Sequence, residues 1–181
     1  MPFSFTKTAI PDVVLIVPKV FGDSRGYFME TFKQSEFASN GIDYEFNQDN
    51  QSRSSSGILR GLHFQNPPYE QGKLVRVIVG EILDVAVDIR KNSSHYGKYV
   101  SATLSAENKK MLWIPPGFAH GFFAIEDCVV HYKATKEYNF ASEGGIIWND
   151  PTVNVKWPSM TPEISEKDGK WPRISDLNSP F

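Results

Sequence analysis

The chain has 181 residues, 40% hydrophobic and 22% charged, a length and balance that suit one domain with one substantial core and exclude a disordered polymer. Nineteen basic against 21 acidic side chains give a formal charge of -2, so no molecule-wide positive field exists to hold a nucleic acid or an anionic membrane, and any phosphate site must be local. A single cysteine, Cys128, excludes an internal disulfide and any zinc site built on paired cysteines.

Short apolar runs punctuated by Gly, Pro, Asn and Ser carry the alternation of half-buried strands rather than helical spacing, so a mostly β chain is expected. None of these runs approaches the roughly 20 apolar residues that cross a bilayer, and no basic segment precedes a cleavable apolar one, which points to the cytoplasm. In chain order, strands are expected over Val13 to Val17, Tyr27 to Phe32, Tyr44 to Gln48 and Gly57 to His63, with one helix near Gln34 to Asn40 that Gly41 is placed to end. Lys73 to Arg90 is the clearest segment and reads as two strands either side of Gly80, a natural turn or bulge. In the second of these, Leu83, Val85, Val87 and Ile89 share one face while Asp84, Ala86 and Asp88 share the other. One face therefore packs a core and the other looks toward solvent or a cavity. Further strands are expected over Tyr99 to Leu104, Met111 to Ile114, Gly121 to Ala124, Cys128 to Ala134 and Ile146 to Trp148, and Ser105 to Lys110 suits a single helical turn. The Pro-rich end is irregular, and no repeat or charge block marks a linker, so the expectation is one sandwich or barrel domain over 1–181.

Two segments carry chemistry. Leu59-Arg60-Gly61-Leu62-His63-Phe64-Gln65 ends a strand with a cation and an imidazole close together, and Lys73 follows a short loop. Ile114-Pro115-Pro116-Gly117-Phe118-Ala119-His120-Gly121-Phe122 sets a second histidine in a stiff Pro-Gly turn. Pro-x-Gly-x-x-His after an upstream Gly-x-His and a strand-Gly-strand unit resembles the two-motif pattern of the cupin barrel, whose histidines project into the barrel mouth. Metal-binding cupins add ligands through a His-x-His pair and a downstream Glu, whereas Gln65 stands two residues after His63 here. His63 and His120 alone fall short of the three protein ligands a catalytic metal wants, so no metal is expected. Imidazole has an unperturbed pKa near neutrality, which suggests proton transfer instead. Tyr132 or Tyr138 could return a proton, and Asp84, Asp88 or Asp168 could orient His63; spacing does not choose among them. Lys73 is read as a phosphate contact, as a cation beside a developing enolate, or as an exposed side chain.

Eight segments in order extend the likeness over nearly the whole chain. They are Phe21-Gly22-Asp23-Ser24-Arg25-Gly26-Tyr27-Phe28-Met29-Glu30, Gln48-Asp49-Asn50, Leu59 to Gln65, Gln71-Gly72-Lys73-Leu74-Val75-Arg76, Val79-Gly80-Glu81 with Asp84 to Asp88, Trp113-Ile114-Pro115 with Gly117 to Phe122, Trp148-Asn149-Asp150-Pro151 and Ser165-Glu166-Lys167-Asp168. Together they are similar to the dTDP-4-dehydrorhamnose 3,5-epimerase family, enzymes of nucleotide-activated L-rhamnose synthesis. The resemblance implies a cupin-type jelly-roll barrel with a few short helices, paired as a homodimer and working without metal or redox cofactor. It implies His63 as base, Asp168 as the carboxylate that orients it, Tyr132 as the opposing proton donor and Lys73 as the cation that stabilises the enolate. Matched residue by residue, it also implies Arg25, Glu30, Gln48, Asp49, Asn50, Arg60, Lys73, His120, Glu143 and Lys167 as contacts to the nucleotide sugar, with Tyr138 stacked on thymine. The Arg25 to Glu30 segment is expected to reach the partner subunit's site. Sister activities remain as alternatives: epimerisation at one centre, keto-sugar isomerisation, or sugar-nucleotide binding without catalysis, with a metal-dependent cupin oxygenase as a further class.

Overall fold

The computed structural model describes residues 2–181. Its strands are β1 (Phe3–Lys7), β2 (Val14–Pro18), β3 (Val20–Asp23), β4 (Gly26–Met29), β5 (Gln48–Ser54), β6 (Leu59–Gln65), β7 (Lys73–Val79), β8 (Glu81–Asp88), β9 (Tyr99–Ser105), β10 (Met111–Ile114), β11 (Phe118–Ala124), β12 (Cys128–Ala134) and β13 (Glu143–Gly145). One short helix, α1 (Gln34–Ser39), lies between β4 and β5. A six-stranded sheet runs β1-β2-β10-β7-β12-β5, and a five-stranded sheet runs β13-β6-β11-β8-β9. Every pairing between named strands is antiparallel, and the β3–β4 hairpin stands apart from both sheets. The two sheets share no hydrogen-bonded strand, so the jelly roll is a pair of facing sheets rather than a ring closed by hydrogen bonds.

Burial explains the layering. Between the sheets, Val75, Val77, Leu112 and Val130 of one meet Ile82, Ala86, Leu104 and Phe122 of the other. The five-stranded sheet also hides its outer face: Val85, Val87 and Ile89 pack under Ile146, Trp148, Val155 and Trp157 of the C-terminal segment. On the outside of the six-stranded sheet, Leu74, Met111 and Trp113 are covered by Phe37 of α1 with Phe3 and Ile42. The Asp84–Ala86–Asp88 face of β8 therefore looks inward, and both carboxylates are fully buried.

Several elements differ from the sequence reading. Gly80 is a bend with φ +74°, as expected, but the strands it joins lie in different sheets and do not pair. The segment before Gln48 is irregular and the strand is the polar run Gln48–Ser54. Phe3–Lys7 is a strand that the apolar count passed over, and the Tyr27 to Phe32 stretch contributes only Gly26–Met29, in a hairpin with Val20–Asp23. Ser105 to Lys110 forms a turn rather than a helix, because Ser105 and Asn108 bond each other's backbone N–H groups with their side chains. Ile146 to Trp148 lies just beyond β13, although Ile146 still exchanges two backbone hydrogen bonds with Leu62.

Candidate active site

Close approach of β6 and β11 builds the site. Gly61, at φ +134°, and Gly121 face each other, and a Cβ on Gly121 would sit 2.5 Å from the Arg60 carbonyl oxygen. That contact, with a register shift just after His120, brings His120 directly opposite His63 across the ladder. Lys73 opens β7, and Tyr132 projects from β12 in the facing sheet. Asp168 arrives from the C-terminal segment, which is tethered beside β6 by Leu59 N–H donating to the Glu163 carbonyl and Glu163 N–H donating to that of Gly57. A cavity of about 610 Å³ results, lined by Arg60, His63, Lys73, His120, Tyr132, Glu143, Lys167 and Asp168 among others.

The carboxylates that spacing left open are each assigned by geometry. Asp168 Oδ1 lies 2.6 Å from His63 Nε2, and Asp168 Oδ2 accepts the Gly61 N–H at 3.3 Å. Burial pushes the Asp168 carboxyl up, but the His63 hydrogen bond and charge with the Gly61 N–H outweigh it and hold the group below the ordinary carboxylate value. An ionised carboxylate only accepts, so in the neutral imidazole the hydrogen sits on Nε2 and Nδ1 keeps the lone pair. Asp84 takes His120 instead, with Oδ1 2.7 Å from Nε2, while its buried Oδ2 has no hydrogen-bond partner among the described residues. Asp88 serves the fold, accepting from Arg90 and Ser93.

Lys73 and Tyr132 are tuned by burial. Desolvation lowers the Lys73 ammonium to about 8 against the pull of Asp84 and Glu143. The Tyr132 phenol is pushed up by desolvation despite Arg60, so it carries its proton at neutral pH. Arg60 is fixed by donating Nε–H to Ser54 Oγ at 2.9 Å and Nη2–H to the Arg53 carbonyl at 3.1 Å. At one rim, Lys167 Nζ donates to Glu143 Oε1 at 2.7 Å, and the Tyr138 hydroxyl donates to Glu143 Oε2 at 3.3 Å. Gln48 donates to Asn50 at 2.8 Å beside them. No group of three or more His, Cys, Asp or Glu side chains able to share a metal ion occurs among the described residues.

Six of the expected contacts do not line the cavity: Gln48, Asn50 and Tyr138 stand beside it, next to Glu143, and three lie elsewhere in this chain. Asp49 points away from the cavity and pairs with Lys133 at 2.8 Å. Arg25, 89% exposed at the hairpin tip, pairs with Asp23, and neither it nor Glu30 lines the cavity. Conversely, Ser52, Phe122, Glu163 and Ser165 line it although none was named as a site residue; Phe122 and Ser165 lie inside the segments that carried the resemblance, while nothing in the local pattern of Ser52 or Glu163 singled them out.

The family model described as dTDP-4-dehydrorhamnose 3,5-epimerase matches residues 7–176. A relative from Shigella flexneri bearing that name is 55% identical over 164 residues, covering 90% of this chain and 91% of its own. Among solved structures, the Legionella pneumophila dTDP-6-deoxy-D-glucose-3,5-epimerase in complex with dTDP-4-keto-L-rhamnose superposes with a TM-score of 0.94 at 41% identity, covering 97% of this chain and 95% of that one. The dTDP-4-dehydrorhamnose 3,5-epimerase of Sulfolobus tokodaii gives 0.91 at 47% identity, covering 97% of each chain. With the family model spanning nearly the whole length and relatives this close, the chain belongs to the dTDP-4-dehydrorhamnose 3,5-epimerase family.

Proposed function

We propose that the whole chain, 1–181, is one epimerase domain that inverts C3 and C5 of dTDP-4-dehydro-6-deoxy-D-glucose to give dTDP-4-dehydro-L-rhamnose. The observation that carries the reading is the 2.6 Å His63–Asp168 dyad inside a cavity that also holds a buried lysine and a protonated tyrosine. The 4-keto group acidifies the hydrogens on both neighbouring carbons. His63 Nδ1 takes one of these protons, the C–H pair becomes the C=C bond of an enolate, and the negative charge goes to the 4-oxygen. Lys73 faces that charge as it develops, in a site where a cation does more than it would in water. Tyr132 then gives its phenolic proton to the opposite face of the carbanionic carbon, which inverts the centre. Water returns a proton to the phenolate while the imidazolium releases its own, so the enzyme ends as it began. Arg60, His120, Gln48, Asn50, Glu143 and Lys167 hold the diphosphate and sugar, and Tyr138 stacks on the base.

The active form in this reading is a homodimer. The hairpin exposes Val20, Phe21, Tyr27 and Phe28 together with Arg25, an apolar patch around an exposed guanidinium paired with Asp23. Across a dimer, Arg25 and Glu30 reach the partner subunit's nucleotide. Sedimentation tests this: the wild type should run as a dimer, and Phe28→Asp should run as a monomer with most activity lost.

Incubation of dTDP-4-keto-6-deoxy-D-glucose in deuterated water, trapped by a downstream reductase, tests the reaction. Deuterium at both C3 and C5 is expected. Label at one carbon would make the chain a single-centre epimerase, and no label with nucleotide still bound would leave only a binding barrel.

A further inference from the structure

Gln65 lies two residues past His63 on β6 and is 4% exposed. Its side chain is engaged by a loop: Gln65 Oε1 accepts the backbone N–H of Asn139 at 2.9 Å. The preceding N–H, that of Tyr138, is accepted by Gln48 Oε1 at 2.8 Å. Two consecutive peptide groups are thus gripped by glutamines from β6 and β5, strands that belong to opposite sheets. An N–H needs an oxygen, so the contacts themselves dictate which way both amides face. The loop is tied at its ends as well, by Gln71 Nε2 donating to the Lys136 carbonyl at 2.7 Å and Asn66 N–H donating to that of Ser142 at 2.7 Å.

Tyr138 hangs on this gripped dipeptide and is 49% exposed. Little packing fixes its ring, so the plane it presents is set by the backbone beneath it and by its bond to Glu143. Stacking depends on that plane, since face-to-face contact with a base is lost when the ring tilts.

We propose that Gln65 is the positioning residue that sets Tyr138 as the platform for the nucleobase, acting on nucleotide affinity and leaving proton transfer to His63. The position that supplies a metal ligand in a His-x-His pair serves here as a loop clamp. The inference rests on the reading of the cavity as a nucleotide-sugar site with Tyr138 against the base.

Calorimetry with dTDP alone separates the two. Gln65→Met keeps the side-chain length without an acceptor, and Gln65→Asn keeps an amide but withdraws its oxygen by one methylene. Each should weaken dTDP binding about fivefold, the loss of one neutral hydrogen bond, and raise KM with kcat within about twofold of wild type. Gln65→Glu retains the acceptor and should restore affinity. The decisive arm is the Tyr138→Ala background, where Gln65→Met should change dTDP affinity no further, because the platform it positions is already gone. Additive losses there, or unchanged affinity in both Gln65→Met and Gln65→Asn, would overturn the inference while leaving the epimerase reading intact. Failure of the wild type to bind dTDP would overturn both.

Discussion

Lys73 holds its charge conditionally. Burial has lowered its pKa to about 8, with Asp84 and Glu143 opposing the shift, so the cation that the proposed mechanism sets against the enolate oxygen is lost just above neutrality. A pH–rate profile should therefore fall on its alkaline side with an apparent pKa of about 8, and Lys73→Met should remove that limb together with most turnover. The same group affects stability in the opposite sense. Between about 8 and 10.5 the unfolded chain keeps a proton that the folded chain has released, so this lysine's contribution to stability rises with pH across that window. Asp84 is tied to the same limb. Asp84→Asn removes the negative charge that supports the Lys73 ammonium, so the alkaline limb should move to lower pH and kcat/KM should drop about tenfold or more at neutrality, roughly the value of a charged hydrogen bond lost at His120. An unmoved limb in Asp84→Asn would show that Lys73 owes nothing to this carboxylate.

At the scale of single elements, legibility followed the apolar pattern. Lys73 to Asp88 was readable because its apolar residues alternate, yet the same alternation could not say that both faces of β8 are covered, one by the opposite sheet and one by the C-terminal segment. The strand Gln48–Ser54 was misplaced because it contains no apolar residue: it lines the site on one side and meets solvent on the other, and hydrophobic periodicity is silent there. Arg60, His63, Lys73 and His120 stood out through their Gly and Pro neighbours. Asp168 did not, since its tie to His63 spans 105 positions and only the resemblance selected it. The β6–β11 approach offers a test of how the histidines are set. Gly121→Ala places a Cβ 2.5 Å from the Arg60 carbonyl and 2.9 Å from Gly61 Cα, backbone atoms that cannot step aside. It should cost about 1–3 kcal/mol in chemical denaturation and, by separating His63 from His120, depress kcat beyond what the stability loss explains.

For the whole molecule, the C-terminal segment both covers the five-stranded sheet and brings Asp168 to His63, the carboxylate of the proposed dyad. Trp157 is 7% exposed, packs on the outer face of the five-stranded sheet and donates its indole N–H to the Trp148 carbonyl at 2.9 Å. Trp157→Ala should destabilise the fold by about 3–5 kcal/mol, visible as a lower midpoint in urea with little change in slope.

The proposed dyad joins an imidazole held in the five-stranded sheet to a carboxylate delivered by that covering segment, and the tether beside β6 is a few backbone bonds around Glu163. On that mechanism, catalysis is a gauge of docking. Segments with few ladder bonds open at lower free energy than the sheets they cover, so on mild heating turnover should vanish while the strand signal in circular dichroism is still intact, and cooling should restore it. Coincident loss of the two signals would mean that the segment and the sheets melt as one unit.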